Sequence, residues 1–168
     1  MNEKIKRLRE ETTVGFMHAK KAYEKADGDY EKALLALQEE GWRIANNRTA
    51  KLTRHSTIGY YVHANQRVVA MVELCCETDL TASADFFNRF ANEIAMHIAA
   101  KGPKYLSKDA VPNELLYETD LQKECLLEQK YVRDEEKTIK ELIMEFIYTH
   151  KENTEIKRFV CYHAIREL

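Results

Sequence analysis

Arg67-Val-Val-Ala-Met-Val-Glu-Leu-Cys-Cys-Glu-Thr-Asp-Leu-Thr81 decides how the rest of the chain is read. The run from Arg67 to Cys76 is rich in β-branched and apolar residues and predicts a strand. Val68, Ala70, Val72 and Leu74 fall on one face of it, and Val69, Met71 and Glu73 on the other. The first face is core. Val69 and Met71 predict that the second is covered too, by helices or by another subunit. The strand then runs into a polar turn, Glu77-Thr78-Asp79, followed by the apolar Leu80, a tip that a fixed strand could press into another molecule.

Upstream, Tyr60-Tyr-Val-His63 pairs with this strand as a hairpin around Ala64-Asn65-Gln66. Downstream, the period changes to 3.6. Ser83 is placed to cap a helix, with Phe86, Phe90, Ile94 and Ile98 on one stripe, Phe87, Ala91 and Ala95 beside it, and Gly102-Pro103 as its end. Met96 and His97 read as packing and surface residues. Pro112 opens a helix through about Glu124, and Asp134 to Lys151 reads as one long helix carrying Ile139, Leu142, Ile143, Phe146 and Ile147. From Glu155 to Ile165 the chain alternates again, with Ile156, Arg158, Val160 and Tyr162 on one face and Phe159, Cys161 and His163 on the other. It is expected as the third strand of an antiparallel sheet, which makes the class α+β.

The first 42 residues predict three short helices. Ile5 and Leu8 line the first, which breaks at Thr12-Thr13. The second runs from Phe16 to about Ala26. Gly28 then suits a left-handed turn, Asp29 caps the third helix, and Gly41 ends it. The set resembles a ubiquitin-associated-type bundle, with Val14-Gly15-Phe16 in its first loop. Phe16 there fits either core or a partner surface. Residues 43–58 carry Arg43, Arg48, Lys51 and Arg54 without an acid or a firm apolar period, and are expected to be a basic linker. The domain reading is therefore a three-helix bundle over 1–42, a linker over 43–58 and an α+β core over 59–168.

Composition sets limits on function. In 168 residues, 45% are hydrophobic, 32% are charged, and only five are Gly and two Pro, the balance of a helix-rich globular protein. No apolar run reaches the roughly 20 residues of a membrane span, and the N-terminus lacks a signal peptide's apolar core, so a cytoplasmic location is expected. Residues 1–55 hold 12 Lys and Arg against 9 Asp and Glu, while the remainder holds 14 against 19. No dense basic face results, so direct nucleic-acid binding is not expected. The four cysteines form no CxxC pair, and Cys75 and Cys76 point to opposite faces of a strand, so no metal site is expected. The sequence has no P-loop, dinucleotide turn, HExxH or nucleophile elbow. Glu73, Glu77 and Asp79 lie close together but in no identifiable pocket. A protein that works by binding, without a catalytic constellation or a cofactor, is the expectation.

Several stretches together resemble the elongation factor Ts family, over nearly the whole chain. These are Thr12-Thr-Val-Gly-Phe-Met-His-Ala-Lys-Lys-Ala22, Asn65 to Asp79, Ala95-Met-His-Ile-Ala-Ala100, Pro103-Lys-Tyr-Leu-Ser107, Leu127-Glu-Gln129 and Glu152-Asn153. The resemblance implies a guanine-nucleotide exchange factor for elongation factor Tu, active in translation elongation. It implies that Thr78, Asp79, Leu80 and Thr81 form the tip that enters the GTPase near its magnesium site. It also implies that Phe16, Met17 and Lys20 of the bundle and Arg48 of the linker contact the same partner. A homodimer pairing two sheets would supply the two related halves that longer relatives carry in one chain. The family's Thr-Asp-Phe is Thr78-Asp79-Leu80 here, and Gln122 to Gln129 runs directly where relatives insert a helical hairpin. Leu80 keeps a second reading open, a non-catalytic relative that binds elongation factor Tu or another GTPase to regulate or sequester it.

Overall fold

The computed structural model describes residues 2–12 and 14–164. Thr13, expected in the first helix break, and Ile165, expected at the end of the last strand, lie outside the described residues. The chain divides into two compact units, Met1–Ala50 with Met144–Lys151, and Lys51–Ile143 with Glu152–Leu168.

The first unit contains α1 (Asn2–Thr12), α2 (Phe16–Lys25) and α3 (Tyr30–Arg48). Its core is Ile5, Leu8, Val14, Ala19, Tyr23, Ala33 and Leu37, with Tyr148 packed against it. Between α2 and α3 the chain reverses through Asp27 and Gly28, both at positive φ. Asp29 then caps α3 by accepting from the Lys32 N–H at 3.1 Å. One expectation fails: α3 passes through Gly41 and ends only at Arg48. Leu37, Gly41 and Ala45 are buried at a spacing of four, so the buried stripe continues, and the Tyr148 ring lies 3.5 Å from where a Gly41 Cβ would be. Gly41 is thus a place of close packing rather than a helix end. Residues 43–48 are helical, and Arg48 sits in the last turn, where the helix dipole favours a cation.

The second unit is built on a three-stranded antiparallel sheet in the order β1 (His55–Val62), β2 (Val68–Cys76), β5 (Thr154–His163). The hairpin is as expected, its turn closed by Gln66 at φ 56. After β2 come α4 (Asp79–Ala82) and α5 (Asp85–Lys101), and α5 packs on β1 and β2. The inner sheet face presents Ala70, Val72 and Leu74, all fully buried, opposite the Phe87, Ala91, Ile94 and Ile98 side of α5. Gly59 permits the closest approach, because a Cβ there would fall within the backbone of Ala91. The buried stripe is rotated slightly from the expected one: Phe87 is in the core and Phe86 is on the rim. Ser83 ends α4 instead of capping α5, whose cap position is Ala84.

His97, expected as a packing or surface residue, is completely buried. Its Nδ1 accepts from the Val132 N–H at 3.2 Å, which leaves Nε2 to donate to Gln129 Oε1 at 2.9 Å. Burial pushes its pKa down to about 4, so the ring is neutral near pH 7.

Two expected helices differ. Residues 112–124 form a short 3₁₀ turn, Asn113–Leu115, and then α6 (Leu121–Glu124). Leu115 and Tyr117 are exposed, so this segment has no apolar stripe with which to pack a longer helix. Residues 134–138 are strand β4 (Asp134–Thr138), paired with β3 (Lys130–Tyr131), and α7 (Ile139–His150) begins only where the apolar stripe begins. A capping box marks the change: Glu141 Oε2 accepts from the Thr138 N–H at 2.7 Å, and Thr138 Oγ1 accepts from the Glu141 N–H at 3.2 Å.

β5 also departs from simple alternation. Arg158 pairs with Glu73 and Ile156 with Leu74, so Lys157 is an extra residue, a β-bulge. Ile156 therefore joins the inner face and is buried, while Arg158, Val160 and Tyr162 take the outer one. That outer face, expected to be covered, is open within the described chain. Ile58, Tyr60, Val62, Met71 and Tyr162 are all exposed on it.

Candidate partner-binding tip

Cys76 closes β2, and within three residues the chain has turned into α4. Thr78, extended at φ -124 and ψ 151, is the N-cap of that helix, its hydroxyl accepting from the Thr81 N–H at 3.3 Å. A one-turn helix is poorly stable by itself, because nucleation fixes several dihedrals for very few hydrogen bonds. This one has outside support. Glu152, just before β5, accepts from the Thr78 N–H at 3.3 Å, from Thr78 Oγ1 at 2.8 Å and from Thr81 Oγ1 at 2.7 Å. Next to it, the Asn153 N–H donates to Glu77 Oε1 at 2.6 Å and Asn153 Nδ2 donates to the Lys51 carbonyl at 2.6 Å. Two distant segments, at Lys51 and at Glu152 and Asn153, are thereby tied beneath one turn.

The exposed residues are the middle two. Leu80 is 84% exposed. The Asp79 carboxylate also faces solvent, with His55 Nδ1 3.7 Å away. Thr81, by contrast, is buried. Of the four expected tip residues, then, Thr78 and Thr81 hold the turn, and Asp79 and Leu80 are presented. Cys76 donates its thiol to the Thr78 carbonyl at 3.2 Å. Burial first, and then the Glu152 carboxylate, push its pKa up to about 11, so it stays a thiol. Among the described residues, no group of three or more His, Cys, Asp or Glu is placed to hold a metal ion. No described helix is long and apolar enough to cross a membrane.

In the first unit, Phe16 and Met17 begin α2 and are 42% and 62% exposed, while Ala19 and Tyr23 supply that helix's buried side. Phe16 is accordingly not core. Lys20 follows one turn later and pairs within its helix with Glu24 at 3.8 Å. Phe16, Met17 and Lys20 share one helix face. Arg48 lies at the far end of α3.

Glu152 is the residue that periodicity missed. Its partners lie 71 and 74 positions earlier, and Glu152-Asn153 reads locally as a break before a strand. The one signal was that the pair recurs in the family pattern.

Residues 3–124 match the family model described as Elongation factor TS. Among curated proteins, the chain is 37% identical to elongation factor Ts of Thermoanaerobacter sp. (strain X514), covering 93% of this chain and 90% of that one. It is 35% identical to elongation factor Ts of Pseudothermotoga lettingae, covering 93% of each. It is 37% identical to elongation factor Ts of Caldanaerobacter subterraneus subsp. tengcongensis, covering 92% of each.

Proposed function

The chain belongs to the elongation factor Ts family, guanine-nucleotide exchange factors of elongation factor Tu in translation elongation, and we propose that Asp79 and Leu80 are the part of it that loosens the nucleotide. The factor acts by binding and catalyses no bond chemistry. By linkage, it can speed release only by binding the nucleotide-free GTPase more tightly than the loaded one, and nucleotide must weaken its binding by the same factor. Leu80 is the wedge, displacing the elements that hold magnesium and phosphate, and Asp79 hydrogen-bonds donors those elements give up. Once the metal is lost, phosphate charge is less compensated and nucleotide leaves faster.

The observation that carries this reading is Leu80, an apolar side chain 84% exposed on a turn held at both ends. The test is stopped-flow release of a fluorescent GDP from elongation factor Tu. Leu80→Asp, which puts a second charge on the wedge, should lower the maximal release rate by about 30-fold, the equivalent of about 2 kcal/mol. A wild-type protein that binds elongation factor Tu without accelerating release would favour the sequestering reading.

Docking is assigned to Phe16, Met17 and Lys20 at the start of α2, with Arg48 as a further contact. Support comes from the exposure of Phe16 and Met17 on a helix whose other side is buried. The factor works in the cytoplasm as a homodimer, two copies covering each other's open sheet face. Ile58, Tyr60, Val62, Met71 and Tyr162 form a larger exposed apolar set than one sheet usually leaves to water. Light scattering should return a dimer at micromolar concentration, and Met71→Glu should return a monomer.

A further inference from the structure

We propose that Glu152 is a positioning residue for nucleotide release: its carboxylate keeps α4 folded so that Leu80 meets the GTPase already in place. This rests on the exchange reading given above. The geometry divides the turn cleanly. Glu152 holds positions 78 and 81 and makes no hydrogen bond to 79 or 80, the two residues offered to the partner. The Thr78 hydroxyl donates to Glu152 and accepts from the Thr81 N–H, so the carboxylate orients the N-cap itself. The brace is anchored behind as well. Asn153 binds Glu77 and the Lys51 carbonyl, so the backbone at 152 cannot follow the turn if the turn moves. A carboxylate is well suited to this task because both oxygens accept, and hydrogen bonds to a charged acceptor are stronger than those between neutral groups.

Without Glu152, α4 is a single turn with one capping hydroxyl, and it opens. The wedge must then be ordered during binding, and the entropy of ordering is subtracted from the coupling that expels nucleotide. Docking through Phe16 and Met17 does not depend on this carboxylate. The two effects therefore separate. Glu152→Ala should lower the maximal rate of GDP release by about tenfold, in line with lost hydrogen bonds to a charged group. The concentration of factor giving half that rate should change less than about threefold. Glu152→Gln should fall between the two proteins. Its oxygen can still accept from the threonine hydroxyls, but its amide meets the Thr78 N–H donor to donor.

The experiment is stopped-flow release of fluorescent GDP from elongation factor Tu with wild type, Glu152→Ala, Glu152→Gln, Thr81→Val and the Glu152→Ala/Thr81→Val double variant. It is run beside amide hydrogen exchange on each free protein. Hydrogen exchange should show lost protection at Ala82 and Ser83, whose N–H groups bond to Thr78 and Asp79, with β2 and α5 unchanged. The double variant should be no slower than Glu152→Ala, because both changes remove the same contact. A wild-type maximal rate in Glu152→Ala, or unchanged protection at Ala82 and Ser83, overturns the proposal. So does a loss spread evenly over β2 and α5, which would make Glu152 merely structural. If the wild type itself releases no GDP, the exchange reading fails, and the hydrogen-exchange arm still decides whether Glu152 holds the turn.

Discussion

Leu80 and Phe16 are both large apolar side chains exposed near the start of a helix, and they are held in opposite ways. Phe16 begins a ten-residue helix whose Ala19 and Tyr23 are buried, and its N-cap, Gly15, contributes no side-chain hydrogen bond. Backbone hydrogen bonds and its own packing hold it. Leu80 sits on a four-residue helix that owes its shape to a carboxylate more than 70 positions away. A surface of the first kind is adaptable and local, suited to docking. One of the second kind is a property of the whole second unit, suited to pushing.

The contrast can be tested at both ends, and the harshest test is on the tertiary side. Gly59→Ala drives a methyl into the Ala91 backbone where α5 crosses β1. It should destabilise the protein by about 3 kcal/mol in urea unfolding, at the upper end for overpacking. A Gly59→Ala protein of unchanged stability would show that the tip's foundation is softer than the packing implies.

A pH test probes the same foundation. The folded His97 ring takes its proton only at about 4, against roughly 6.5 unfolded, so the unfolded chain binds more protons between those values. His97 thus adds stability that is complete above about pH 6.5 and is lost as pH falls towards 4, on the order of 3 kcal/mol in all. Urea unfolding at pH 4.5 and 7.5 should show a difference that shrinks in His97→Gln. An equal acid loss in both proteins would remove His97 from the account.

On the local side, Phe16→Ala with Met17→Ala should weaken binding to elongation factor Tu by about 30-fold, the size of an interface hot spot, without changing the maximal rate of release. A lower maximal rate with intact affinity would reverse the roles of the two surfaces. The smallest expected effect sharpens the comparison. Leu80→Phe should raise the maximal rate about fivefold, roughly 1 kcal/mol, through a larger wedge on an unchanged turn.

What could be read from the sequence follows the same division. The β1–β2 hairpin, the Asp29 cap and the sharp turn after Cys76 were legible because each is set by residues within a few positions. The end of α3 was not. Gly41 looks like a stop until the Tyr148 ring, more than 100 positions later, is known to lie against it. Asp134 to Thr138 reads as helix because charged residues fit an exposed helix face as well as an edge strand, although Thr138 and Glu141 carry the spacing of the capping box that starts α7. A polar turn at Thr78 to Thr81 could be located from the sequence. That Asp79 and Leu80 face outward while Thr78 and Thr81 are gripped could not, because Glu152 comes from another part of the chain.

Lys157, the extra residue in β5, now carries a consequence for the tip. Side chains upstream of a bulge are out of phase with those downstream, so this one residue acts as a spatial reading frame for the start of the strand. Glu152, Asn153 and Thr154 all lie on the upstream side. Ironing out the bulge so that Lys157 paired with Leu74 would leave the Arg158 and Glu73 pairing in place and slide everything before it by one position along β2. Asn153 would then stand where Glu152 stands, offering Thr78 and Thr81 an amide in place of a carboxylate, and Ile156 would leave the core. A change of register in the middle of a strand would thereby edit the chemistry under a turn some 80 residues away in sequence, without touching a residue of that turn.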